Sequence, residues 1–325
     1  MLTSLSAVKK KISGRPGVRF SFTFVFVCLV LYLSLETAPP AFFHFVNRAN
    51  TLGTGFLLKL AGIVPRITND MISYEGFTVK VVGECSAVFI SILPLAFFIA
   101  YPSRALWKIA GVFAGLPLLF IFNLFRIVLV FMVGLASPKL FPWVHLYFGQ
   151  VGMIFLVVWI CMVWLKYAKK DIRQLPDTRM MLAAFVVSIL PFTAWIWLCK
   201  PYTWMLLWTA RLILELAGFS AVLPGALALY PHTFISFNIV VILSLVMADR
   251  MFRKQMSKKK FLTGMGSLMV LHLFFQMLPI LFFQNRLMQS QPLINALLVI
   301  HQFFLPFIFW VALVPISGKA RKANT

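Results

Sequence analysis

A thiol, a guanidinium and an imidazole stand near the ends of successive apolar runs, as Cys85, Arg126 and His145. A cysteine attacks as its thiolate, and both a histidine base and a nearby positive charge favour that form. A guanidinium also stabilises the oxyanion that arises when a thiolate adds to a carbonyl, and it does so more strongly where water is excluded. The trio is therefore equipped for acyl transfer through a covalent intermediate. Asn123 precedes Arg126 by three residues, which puts both on one face of a helix. Plainer roles stand beside these. Arg126 can snorkel to a membrane surface or pair with a carboxylate, although few carboxylates lie within apolar runs. His145, with Trp143 and Tyr147 close by, can belong to an interfacial aromatic belt.

The elements that must position these groups are membrane helices. Of 325 residues, 61% are hydrophobic and 12% charged, about half the charge usual in a soluble domain. Crossing a hydrocarbon core of roughly 30 Å takes about 20 apolar residues. Eight runs qualify, at about 19–36, 86–101, 109–135, 146–165, 180–199, 234–252, 261–283 and 293–315. The expected fold is an all-α polytopic membrane protein with no separate soluble domain. Lys9, Lys10, Lys11, Arg15 and Arg19 precede the first run, and no small-x-small cleavage site follows Leu35, so a retained anchor is expected.

A net charge of +22 invites a nucleic-acid reading, but the basic residues concentrate in alternate loops, the pattern of a positive-inside topology. With the N-terminus in the cytosol, 21 of the 30 basic residues lie inside, eight lie in outer loops and Arg126 lies within a span. Five of the eight acidic residues (Glu36, Asp70, Glu75, Glu84 and Glu215) fall outside. The expected topology is N-in and C-in, with no nucleic acid as partner. Depth then groups the reactive trio. From cytosolic Lys108 to Arg126 is 18 residues, roughly 27 Å of helix, which brings Arg126 close to the outer face. Cys85 opens the preceding span from the outside and His145 the following one.

Cys28, Cys85, Cys161 and Cys199 form no CxxC pair and no zinc-like spacing, so neither metal nor other cofactor is expected. Cys28 and Cys161 read as small buried hydrophobes, and Cys199 as inert. His44, His232, His272 and His301 fit no shared site. Two long connections, 37–84 and 200–233, are expected outside. In the first, Leu52–Leu60 suits the interface, and Phe77, Val79 and Val81 alternate with Thr78 and Lys80 behind a Glu75-Gly76 turn. That pattern predicts a small extracytoplasmic β-hairpin leading into Cys85. Leu58-Lys59-Leu60-Ala61-Gly62-Ile63 is echoed by Leu214-Glu215-Leu216-Ala217-Gly218-Phe219, a faint sign of duplication in which Ser236 and Asn238 lie near the place of Cys85.

Glu84-Cys85-Ser86-Ala87 resembles the Cys-Ser-Gly/Ala signature of the exosortase and archaeosortase family, and Asn123-Leu124-Phe125-Arg126-Ile127 is similar to its Asn-x-x-Arg-Ile motif. His145 resembles the third active-site position. The resemblance covers about residues 50–166; Ala87 departs from the frequent glycine. It implies that Cys85 is the nucleophile, Arg126 the transition-state stabiliser or thiolate partner, and His145 the general base. Asn123, Ser86 and Glu84 would be supporting or substrate-binding positions. It further implies a cysteine peptidase or transpeptidase of the bacterial inner membrane with an extracytoplasmic site. The substrates would be membrane-anchored proteins bearing a C-terminal motif, a transmembrane helix and a basic tail, passed to a lipid- or glycan-linked envelope acceptor. The expected organisation is a basic cytosolic segment (1–18), a catalytic membrane core (19–179) and a four-helix region of unassigned role (180–325). Two other functions compete: a transporter or flippase for an anionic envelope precursor, and an inactive scaffold for polysaccharide export.

Overall fold

The computed structural model describes residues 16–168, 178–219, 237–252 and 258–284. The expected last span (293–315), His232, Ser236, His301 and the basic positions Lys9 to Arg15, Lys169, Lys170 and Arg173 lie outside the described residues. The described residues are mostly helical, and among them five helices are long and apolar enough to cross a membrane, which makes the chain a multi-pass membrane protein. These are Arg19–Glu36, Ala105–Ala136, Phe141–Ala168, Thr178–Leu216 and Phe261–Leu278. The run expected as a second span, 86–101, forms a helix of only 13 residues, about 20 Å long.

The contacts divide the chain into two compact units. The first contains α1 (Pro16–Glu36), α2 (Pro40–Leu60), β1 (Arg66–Thr68), β2 (Met71–Tyr74), β3 (Phe77–Lys80), α3 (Val88–Ala100), α4 (Ala105–Ala136) and α5 (Phe141–Leu146). It also holds the last turns of α6 (Met153–Ala168). Helices α1 and α3 run antiparallel: the Phe20 ring meets Phe97 and Tyr101, while Tyr32 meets Phe89. The α3–α4 turn is closed by Lys108 Nζ, which donates to the Ile99 carbonyl at 2.6 Å. Gly111 leaves room for Trp164 and Phe98, and Trp164 Nε1 donates to the Trp107 carbonyl at 2.7 Å. Arg19, Arg104, Lys108 and Lys166 thus gather at one end of this unit, with Glu36 and Cys85 at the other.

The expected hairpin is present as β2–β3, joined by Glu75 and Gly76 at positive φ, with Ile72 opposite Val79. Beyond expectation, Arg66–Thr68 adds a third antiparallel strand. Ile72 and Val81 anchor the sheet on Leu58, Ile127 and Phe131 in one buried cluster.

Residues 37–84 are more ordered than an outer loop. Leu52–Leu60, expected at the interface, is the second half of a 21-residue helix. That helix turns Asn50, Thr51 and Thr54 inward. Similarly, the expected outer connection 200–233 remains helical to Leu216. Pro201 sits within that helix, so Lys200-Pro201 does not end it. Its continuation is held by Leu207, Ala210 and Leu214 packed with Ile280.

The sequence echo has a local cause. Gly62 and Gly218 take φ of +85° and +86° after their helices. Ile63 N–H then donates to Leu58 O at 2.9 Å, and Phe219 N–H to Leu214 O at 2.9 Å. Gly62 and Gly218 N–H donate to the carbonyls of Lys59 and Glu215. Both segments are one helix-terminating motif, in which glycine supplies the left-handed residue and an apolar residue closes over the last turn.

The second unit comprises residues 150–162 and 170–325. Its described helices are α7 (Thr178–Val187), α8 (Ile189–Leu216), α9 (Phe237–Phe252) and α10 (Lys258–Gln284). Helix α7 lies beside α9, and α8 beside α10. Fully buried His272 links three of them: its Nε2 donates to Asn238 Oδ1 at 2.9 Å, which leaves Nδ1 to accept from the Tyr202 hydroxyl at 2.7 Å. A neutral imidazole uses both nitrogens in this way.

Candidate active site

The site grows from the chain leaving β3. Val81 N–H donates to Asp70 O at 2.8 Å, and the backbone then folds into a short 3-10 turn, Gly83–Cys85. Cys85 N–H donates to Val82 O at 2.8 Å and Ser86 N–H to Gly83 O at 3.1 Å. The Ser86 hydroxyl donates to the same Gly83 carbonyl and is buried. Ser86 therefore ties the turn together, and its hydroxyl is already engaged. The backbone of Glu84 lies in the turn, and its side chain is outside the described residues.

Ala87 takes φ +60°, ψ 3° as the residue before α3. An L-residue there brings Cβ toward the following carbonyl, at a cost of roughly 1–2 kcal/mol, and glycine escapes it. The alanine-for-glycine departure thus falls on a position whose backbone favours glycine. The turn sets Cys85 just ahead of the N-terminus of α3.

Asn123, fully buried on α4, fixes this turn from the opposite side. Its Nδ2 donates to the Cys85 carbonyl at 2.8 Å and to Asn50 Oδ1 at 2.9 Å. Asn50 Nδ2 in turn donates to Val46 O at 2.9 Å, which orients its amide. Asn123, expected as a supporting or substrate-binding position, holds the main chain of Cys85. Asn50 was missed. Its signal was a polar run, Asn47, Asn50, Thr51 and Thr54, at helical spacing inside an otherwise apolar stretch.

Arg126 lies one turn further along α4 and is 9% exposed. Among the described residues no carboxylate pairs with it, and its Nε has no hydrogen-bond partner. It lines the same pocket as Cys85 and His145. His145 is positioned through aromatic packing. Its ring stacks on Phe141 at 5.6 Å, and Phe141 meets Phe77 at 5.6 Å. Gly134 makes room for both phenylalanines, since a Cβ there would stand 2.3 Å from Phe77 Cζ and 2.7 Å from Phe141 Cδ2. The hairpin thereby sets the histidine. A π-helical segment, Tyr147–Gly152, follows directly, a distortion frequent at functional sites.

Cys85, Arg126 and His145 line one partly open pocket. Lys80 joins them, and Val79, Val81, Ile127 and Val130 form the apolar wall. The structure brings the three reactive positions together, with Asn123 behind Cys85. Cys28, Cys161 and Cys199 are buried elsewhere. His44 is exposed and lies 3.9 Å from Asp70.

A thiol, a guanidinium and an imidazole facing one pocket within a helical membrane unit define a class of membrane protein that carries a cysteine-centred site. Residues 12–165 match the family model for transmembrane exosortases, Exosortase_EpsH, so this stretch is similar to that family. That similarity supports a membrane protein-sorting function in general. No curated protein and no solved structure matches the chain.

Proposed function

We propose that the chain is a membrane cysteine transpeptidase that cleaves C-terminal sorting signals of exported proteins on the extracytoplasmic face. The observation that carries this is the shared pocket of Cys85, Arg126 and His145 at the start of α3, within the family-matched region. His145 takes the thiol proton and the Cys85 thiolate adds to the scissile carbonyl carbon. Arg126 neutralises the resulting oxyanion. Collapse of the adduct breaks the C–N bond and leaves a thioester on Cys85, while the proton returns to the departing amine. That amine carries the helix and basic tail of the signal. An envelope acceptor, lipid- or glycan-linked, then attacks the thioester and restores the thiol.

The orientation that suits this chemistry puts the N-terminus in the cytosol and the pocket outside the inner membrane. Arg19, Arg104, Lys108 and Lys166 at the end of the first unit away from Cys85 support it. With α3 counted as a span and the last run included, the chain crosses eight times. Residues 19–179 form the catalytic core, ahead of a C-terminal membrane region at 180–325.

The test is cleavage of a tagged cognate substrate in cells, with the membrane level of each variant measured in parallel. Cys85→Ala abolishes processing, and Cys85→Ser is nearly as damaging because a hydroxyl is a far weaker nucleophile than a thiolate. Arg126→Ala loses about 10²–10³ in rate, the usual worth of one oxyanion donor, and Arg126→Lys restores it only in part. Cys28, Cys161 and Cys199 tolerate Ala. Normal processing by well-expressed Cys85→Ala would favour the transporter.

A further inference from the structure

Helix α2 is built inside out. At about 100° per residue, Asn50, Thr51 and Thr54 share the face turned toward the protein, and all three are fully buried. The opposite face carries Phe42, Phe45, Leu52, Phe56 and Leu60, with Phe45 73%, Phe56 62% and Leu60 70% exposed. Polar inside and apolar outside is the arrangement of a helix whose outer solvent is lipid, since hydrocarbon rewards exposed phenylalanine and water does not. A row of basic side chains, His44, Arg48 and Lys59, runs exposed along one border of that apolar strip.

The packing keeps α2 on the Cys85 end of α3 and α4. Near its start, Phe43 stacks on Phe89 at 6.0 Å. Midway, Gly53 meets Leu124 and Asn50 meets Asn123. Near its end, Leu58 packs with Ile127 and Phe131. All these partners belong to the Cys85 end of α3 and α4, whereas the far end of α4 is occupied by Trp164 against Gly111. An apolar strip bordered by cations, at the end of a helical membrane unit, has the chemistry of the headgroup–acyl boundary.

We infer that α2 is an interfacial helix that seats Phe45, Leu52 and Phe56 in the acyl boundary and sets Arg48 and Lys59 on the phosphates of anionic lipid headgroups. Its inner face supplies Asn50 to Asn123, so the helix that touches the lipid surface also braces the Cys85 turn. The inference concerns the bilayer contact and does not depend on the cleavage reaction.

Two measurements test it in nanodiscs of phosphatidylcholine with phosphatidylglycerol. In the first, Cys28, Cys85, Cys161 and Cys199 are replaced by Ala, and a fluorophore is attached after Phe45→Cys, Leu52→Cys, Phe56→Cys or Arg48→Cys. Nitroxides near the headgroups are expected to quench positions 45, 52 and 56 more strongly than nitroxides at the bilayer centre, and position 48 is expected to remain open to an aqueous quencher. Strongest quenching of position 52 from the bilayer centre would make α2 a span and overturn the inference. Lipid nitroxides that quench none of the three would mean that protein covers the face, which overturns it equally. The second measurement uses the unaltered chain and photoreactive phosphatidylglycerol, with adducts mapped by mass spectrometry. Adducts are expected at residues 40–60, and Arg48→Gln and Lys59→Gln each lower their yield about fivefold, the factor for one cation near an anionic surface. An unchanged yield in the double variant, or adducts confined to other segments, overturns the headgroup assignment.

Discussion

Replacing Asn123 tests whether the nucleophile is held by its own main chain. The side chain is fully buried, and both of its N–H groups are used, on the Cys85 carbonyl at 2.8 Å and Asn50 Oδ1 at 2.9 Å. Asn123→Ala strands both acceptors. A buried polar group left without a partner costs about 1–3 kcal/mol, so stranding two loses roughly 2–6 kcal/mol of local stability. The effect concentrates on the Gly83–Cys85 turn. A displacement of about 1 Å there is worth on the order of 10² in rate. Asn123→Asp is of nearly equal size, but an ionised carboxylate has no donor and would face two acceptor oxygens, so it is at least as damaging. Asn50→Ala leaves Asn123 free to keep the Cys85 carbonyl, and is the milder change. Two readouts separate positioning from general instability: the rate of Cys85 alkylation by a maleimide, and substrate processing, each normalised to protein in the membrane. The expected order of loss is Asn123→Asp, then Asn123→Ala, then Asn50→Ala, with wild-type levels of inserted protein for the last. Wild-type alkylation and processing in Asn123→Ala would refute the claim that this amide sets the nucleophile.

Three further outcomes follow from the geometry. Ala87→Gly relieves the left-handed strain of roughly 1–2 kcal/mol against about 0.4–1 kcal/mol of added chain freedom, so thermal stability in detergent is unchanged or slightly raised and processing is kept; Ala87→Val lowers both. Gly134→Leu drives Phe77 and Phe141 apart and displaces the His145 ring stacked on Phe141, so processing falls toward the level of His145→Ala; a fully active, well-inserted Gly134→Leu would remove the aromatic relay. Single cysteines introduced at positions 169 and 258 react with a membrane-impermeant reagent only after permeabilisation, whereas Cys85 reacts in intact cells; labelling of the first two in intact cells inverts the proposed topology.

Polar groups set in apolar sequence were the most legible features. Cys85, Asn123, Arg126 and His145 each stand out because burial in hydrocarbon is costly without a purpose. Their order along successive helix ends was enough to place three of them near one another. The β2–β3 hairpin was legible because Phe77, Val79 and Val81 keep the period of a half-buried strand, whereas β1, three residues long, is too short to show a period. Helix α2 was half hidden. Its inner face carries Asn50, Thr51 and Thr54, and polar residues that face protein look in sequence like residues that face water. Lys200-Pro201 concealed the length of α8 for a different reason: proline ends helices often, yet packing by Leu207, Ala210 and Leu214 carries the helix past it. The support of His145 by Gly134, Phe77 and Phe141 depends on pairing between distant segments, which no local pattern records. Tertiary packing likewise set the partner of Asn123, for which the sequence offered only a supporting or substrate-binding position.

The most direct test of the central claim is capture of the acyl-enzyme. The chain is incubated in membranes with a substrate bearing a C-terminal sorting signal, quenched with acid, and examined by peptide mass spectrometry. The account predicts a conjugate between the new C-terminus of the substrate and Cys85, cleaved by neutral hydroxylamine as a thioester must be and absent from Cys85→Ala. Processed substrate released by Cys85→Ala, or a conjugate on any residue other than Cys85, would contradict it.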